Sequence, residues 1–135
     1  MANFASLSRY EPQLLGVLRI VAGLLYLAHS IVKLLGFPPD VPPGQVPIAS
    51  LFGAAALVEV VAGTLILLGL FTRPAAFIAA GEMAIAYWMI HAPQSPYPVV
   101  NKGEVAILFC FVFLYFAASG PGAFSLDSAR ARRPD

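Results

Sequence analysis

The sequence predicts an all-α membrane protein: a single domain, 1–135, built as an antiparallel four-transmembrane-helix bundle with both termini cytoplasmic. Three observations predict it. Hydrophobic residues make up 59% of the chain and charged residues 11%, against roughly 25% charged in a soluble domain. A soluble protein of 135 residues would need far more polar side chains to cover its surface. Four apolar runs, roughly 13–35, 47–70, 73–91 and 103–119, each approach the ~20 helical residues that cross a hydrocarbon core about 30 Å thick. Between them the chain breaks sharply, with five prolines in 36–47 and three in 92–101, neither stretch able to continue a helix.

The first run carries Arg19 inside it and Lys33 near its end. An internal arginine argues against a cleavable signal peptide. The second run holds Glu59 and leads through the short turn Phe71-Thr72-Arg73-Pro74 into the third, with Pro74 suited to a first helical turn. The fourth ends at Gly120-Pro121-Gly122. Small residues recur four apart, as at Ala49 and Gly53, Ala75 and Ala79, and Ala80 and Ala84, which lets helix backbones approach closely in lipid. Arg9, Arg73, Arg130, Arg132 and Arg133 fall on one side of the four runs, and Lys33 and Lys102 on the other. The arginine-rich side is therefore expected to be cytoplasmic, in a multi-pass protein of the cell inner membrane. Composition excludes a soluble enzyme and a disordered tail, and nothing in it suggests a nucleic-acid partner. The single cysteine, Cys110, excludes an internal disulfide and a CxxC pair.

Ionisable side chains inside a membrane are costly and face the bundle interior. At 1.5 Å per residue, Arg19 lies roughly 9 Å and Glu82 roughly 14 Å from the cytoplasmic ends of their helices. Glu59 falls near the middle of the second. The expectation is a buried charge network of Arg19, Glu59 and Glu82, with arginine offering five donors to two carboxylates. Such a network serves either to lock helix register or to handle protons or a ligand.

A second group is expected at the outer mouth. Tyr26, His29, Ser30 and Lys33 lie on one stripe of the first helix. His91 ends the third, and Lys102 and Glu104 open the fourth. Tyr26, His29, Lys33, His91 and Glu104 are the candidate ligand-binding residues, a lining suited to a quinone carbonyl or a small anion. The alternative is that the lysines and Glu104 simply reach the interface. No local pair has metal-ligand spacing, so no metal site is expected. Most of the phenylalanines at 109, 111, 113 and 116 are expected to face lipid or a neighbouring subunit.

Leu18-Arg19-Ile20-Val21-Ala22-Gly23 continuing to His29-Ser30-Ile31-Val32-Lys33-Leu34-Leu35-Gly36 resembles the first helix of the DoxX family. Glu59-Val60-Val61-Ala62-Gly63, Leu68-Gly69-Leu70-Phe71-Thr72-Arg73-Pro74-Ala75-Ala76, Asn101-Lys102-Gly103-Glu104 and Gly120-Pro121-Gly122-Ala123-Phe124-Ser125-Leu126-Asp127 resemble it too, in order along nearly the whole chain. Ser30 and Lys102 depart from the glycine or asparagine common at those positions of the family. The resemblance implies a small four-helix inner-membrane protein, related to subunits of quinone-linked oxidoreductases. It places Arg19, His29, Lys33, Glu59 and Glu104 among the characteristic polar positions.

The leading expectation is a quinone-linked subunit of a membrane oxidoreductase, with a quinone as candidate cofactor and nothing covalently bound. The chain has no haem-ligation motif, flavin fingerprint or cysteine pair, so a membrane or membrane-associated redox partner would supply electrons. The alternatives are a non-catalytic structural or assembly subunit of a larger complex and, third, a small-molecule or proton transporter. Lipid is the expected surroundings throughout, and a homo-oligomer is compatible with every reading.

Overall fold

The computed structural model describes residues 4–132, so Arg133 lies outside the described residues. Every described element is helical. A 3-10 turn, Phe4–Tyr10, runs into α1 (Glu11–Leu35), followed by α2 (Leu51–Leu68), α3 (Thr72–Ala86), the four-residue α4 (Pro98–Asn101), α5 (Glu104–Ser119) and α6 (Leu126–Ala131). The long helices occupy the four apolar runs, with shifted ends. α2 starts at Leu51 rather than Pro47 because the Ser50 hydroxyl accepts the Gly53 N–H at 3.0 Å and caps it. α3 stops at Ala86 and continues as one π turn, Tyr87–His91, closed by the Ala92 N–H donating to the Tyr87 carbonyl at 2.9 Å. The proline-rich stretch that was expected to be all loop contains α4. The chain after Gly122 turns helical again as α6, capped by Ser125.

α1 packs on α2, α2 on α3 and α3 on α5. The α1–α5 side is closed mainly by rings: Tyr26 lies 4.9 Å from Phe113 and 6.0 Å from Phe109, centroid to centroid. α1 and α2 approach closely through Gly23 and Gly63. A Cβ on Gly23 would sit 3.0 Å from the Leu67 backbone nitrogen, and one on Gly63 would sit 2.9 Å from Leu27 Cγ. α3 presents Ala75, Ala76, Ala79 and Ala80 to the core, and α5 fills the space opposite with Phe109, Phe113 and Phe116. These three phenylalanines therefore point inward, contrary to the expectation that most face outward. Their spacing of four and three places them on one stripe, while Phe111 is exposed.

The distribution of polarity is inverted relative to a water-soluble protein. Arg19 and Glu59 are fully buried, and Lys33 is nearly so. Leu14, Val17, Leu24, Leu25, Phe77, Ile78 and Trp88 are exposed. An apolar exterior of this extent requires an apolar surrounding. Two helical stretches, Phe4–Leu35 and Leu51–Leu68, are long and apolar enough to cross a membrane, and Glu104–Ser119 is a shorter apolar helix. The third run is interrupted by the π turn, so its α-helical part is 15 residues.

Candidate functional site

Helix side chains lean toward the N-terminus of their helix, and that rule sorts the charges of α1. Lys33, near its C-terminal end, leans back into the bundle, where its Nζ donates to Glu59 Oε1 on α2 at 2.5 Å. One heptad earlier on the same stripe, Tyr26 is fully buried, and its hydroxyl donates to Glu82 Oε2 on α3 at 3.1 Å. Between them the Ser30 hydroxyl donates to the Leu27 carbonyl at 2.6 Å. One lysine, one phenol and two carboxylates from three helices thus form one cluster. Glu59 Oε2 is buried with no hydrogen-bond partner among the described residues.

The cluster borders two cavities. A cleft of about 390 Å³ opens between α2 and α3, with Lys33 and Glu82 as the charged groups among a lining of Phe52, Ala55, Val58, Ile78, Ile85 and Met89. Gly81 also lines it, and a Cβ there would meet nothing within 4 Å. The cleft falls within the ~300–1,000 Å³ of small-molecule sites, apolar with a few convergent polar groups. A second cavity of about 320 Å³ lies between α1 and the proline-rich loop, lined by Ala28, His29, Val32, Pro38, Val41 and Pro42. Lys33 lines both.

Arg19 takes no part in this cluster, which corrects the expected Arg19–Glu59–Glu82 network. Leaning toward the N-terminal end of α1, its guanidinium meets backbone carbonyls instead. Nη1 donates to Ile66 and Leu67 at 2.8 and 2.6 Å, Nε to Pro121 at 2.8 Å, and Nη2 to Ala123 and Phe124 at 3.2 and 2.8 Å. The last carbonyls of a helix have no partner within it, and five fixed donors satisfy those of α2 together with the chain after α5. Glu59 and Glu82 do come together, around Lys33 and Tyr26.

The expected outer cluster divides into three places. Tyr26 and Lys33 belong to the buried cluster. His29 is exposed at the loop cavity, its Nδ1 bonded to the Leu25 carbonyl at 3.0 Å and its ring edge-on to Phe109. His91 bonds through Nδ1 to the Asn101 carbonyl at 2.9 Å and stacks on Tyr87, while Glu104 is exposed at the start of α5. His91 and Glu104 are therefore not brought to the cluster. Among the described residues no three His, Cys, Asp or Glu side chains gather in a metal-holding group.

Two polar residues named above only as parts of family-like segments take structural roles that sequence reasoning did not assign. Asn101, nearly fully buried, donates to the Ser95 carbonyl at 2.8 Å and accepts the Gly103 N–H at 2.8 Å, folding the loop before α5. Asp127 accepts the Phe71 and Thr72 N–H groups, each at 2.9 Å, and so caps α3 from across the chain. Burial pushes its carboxyl up, but these backbone donors and Arg130 outweigh that and hold it below the usual aspartate value. An aspartate two residues past the capping Ser125 was the available signal, though nothing local names its partner helix.

A Lys–Glu–Glu–Tyr cluster inside an apolar-faced helical protein, with Tyr26 and Glu59 fully buried and Glu82 half-buried at the cleft, defines a membrane protein with a polar interior site. The chain matches the DoxX family model over residues 14–92, and it belongs to that family. It is 39% identical to an uncharacterized protein of Haemophilus influenzae over 91% of this chain and 95% of that one. It is 32% identical to an uncharacterized membrane protein of Mycobacterium tuberculosis, over 86% of this chain and 80% of the relative. It is also 32% identical to inner membrane protein YphA of Escherichia coli, over 87% and 90%. No solved structure matches the chain. The protein is thus a DoxX-family membrane protein.

Proposed function

We propose that this chain is a four-span protein of the inner membrane, with both termini cytoplasmic, that holds a quinone headgroup at the base of the α2–α3 cleft as a subunit of a membrane oxidoreductase. The observation that carries the reading is the cleft itself: an apolar lining in which Lys33 and Glu82 are the charged groups. A lipid-soluble molecule enters such a cleft tail-outward, while Lys33, with three donor hydrogens, offers one to a carbonyl. Glu82 accepts from a hydroxyl once the headgroup is in its reduced, quinol form.

The topology follows from the distribution of arginines. Contacts of Ala123 with Pro12 and of Asp127 with Phe71 and Thr72 gather the start of α1, the start of α3 and the chain after α5 at one end. Arg9, Arg73, Arg130 and Arg132 belong to that end, which the positive-inside rule assigns to the cytoplasm. α5, at 16 residues, is about 24 Å long, a mismatch that local bilayer thinning absorbs at modest cost.

The test is a titration of the purified protein with decylubiquinone, read by emission of Trp88, the neighbour of cleft-lining Met89. Saturable quenching in the parent and its loss in Gly81→Leu, which fills the cleft, is the expected result. Equal quenching in both refutes the cleft as the site.

A further inference from the structure

We propose that the buried cluster exchanges protons with one membrane face alone, the face carrying the 36–50 loop, by way of the Lys33–Glu59 pair and His29. The inference rests on the membrane-spanning reading above and on the cluster's geometry, and holds whatever molecule occupies the cleft.

Lys33 is the wall between the cleft and the loop cavity. Behind it Glu59 presents a buried oxygen, Oε2, that has no partner among the described residues. A charged carboxylate oxygen without a partner at zero exposure is costly, and a transient proton on it removes the charge. At the mouth stands His29. Its Nδ1 faces the Leu25 carbonyl, which can only accept, so the neutral ring keeps its hydrogen there and leaves Nε2 free to take up a proton. The titratable groups around Glu82 are Tyr26 and Lys33 from α1 and Glu59 from α2, and His29 stands near Glu59. α5 contributes the rings of Phe109 and Phe113, packed on Tyr26.

The opposite direction is closed. Residues 20–25 of α1, 60–68 of α2 and 74–81 of α3 include no ionisable side chain. Ile66, Ala76, Ala79, Phe113 and Phe116 are fully buried across that level. Beyond them stands Arg19, which stays protonated and is held by five carbonyls. A proton delivered to Glu82 from a hydroxyl or water in the cleft therefore leaves through Glu59 and His29 Nε2. Only O–H and N–H bonds are made and broken, and each group returns to its starting state.

The test uses the full chain in vesicles with the pH set separately on the two faces. N,N′-dicyclohexylcarbodiimide, a lipid-soluble reagent that couples to protonated carboxyls, is the probe, and mass spectrometry reads adducts on Glu82, with Glu82→Gln as the control. Labelling is expected to follow the pH at the 36–50 loop face and ignore the other. After a pH jump on the loop face, His29→Phe should respond roughly a hundredfold more slowly than the parent, the scale of a lost positioned acid–base group. His29→Gln serves as a second variant at this exposed position. Labelling that follows the Arg19 face or both faces, no labelling at any pH, or an unchanged response in both His29 variants overturns the proposal. Failure of the quinone titration leaves it untouched, since the two experiments read binding and protonation separately.

Discussion

Replacing Arg19 with methionine tests the clearest structural statement about this chain, that the guanidinium serves backbone carbonyls and not carboxylates. Methionine fills much of the same volume and removes all five donors. Interhelical hydrogen bonds in membrane proteins average about 0.6 kcal/mol, so the five bonds together are worth about 3 kcal/mol. Arg19→Lys should recover part of that, because three donors on a point charge cannot span carbonyls on both α2 and the 121–124 segment. The assay is equilibrium unfolding in mixed micelles followed by helical circular dichroism. Combining Arg19→Met with Glu59→Gln sharpens it, since sites without shared partners add within about 0.3–0.5 kcal/mol. A loss below about 1 kcal/mol for Arg19→Met, or strong coupling to Glu59, would refute the carbonyl clamp.

Lys33→Met leaves Glu59 buried without its cation and should cost about 3–5 kcal/mol in the same assay, with Lys33→Met/Glu59→Gln recovering most of it. Gly81→Leu, which meets open space, should change stability by less than about 0.5 kcal/mol while abolishing quinone quenching. Asp127→Ala should cost about 1 kcal/mol at neutral pH through loss of the α3 cap. Because the folded Asp127 carboxyl titrates below its usual value, that difference is full above the usual value near 3.9 and fades as pH falls through the lower, folded one. Melting curves of parent and Asp127→Ala at neutral and acid pH check this, and a gap that persists in strong acid contradicts it.

The four long helices were legible because length, apolarity and proline breaks are properties of composition along the chain. α4, α6 and the π turn were not, since they follow from local capping and from contacts between distant segments. The site divides the same way. The stripe of Tyr26, Ser30 and Lys33 follows from helical periodicity alone, and both carboxylates that meet it were expected inside the bundle, where Glu59 is fully buried and Glu82 half-buried. Their partner was misassigned to Arg19 because depth along a helix axis says nothing about the direction a side chain leans. The acceptors that Arg19 uses are backbone carbonyls, which no residue name marks. His91 and Glu104 were grouped with His29 by their shared side of the membrane, yet the loop folded by Asn101 holds His91 to its own carbonyl.

Photo-crosslinking of the membrane-embedded protein with an azido-quinone, with adducts mapped by mass spectrometry, tests directly whether the α2–α3 cleft holds the headgroup. Adducts are expected on the α2–α3 cleft, at Phe52, Val58, Ile85 or Met89, and are lost in Gly81→Leu. Adducts confined to the outer face of α5, or unchanged by Gly81→Leu, would contradict it.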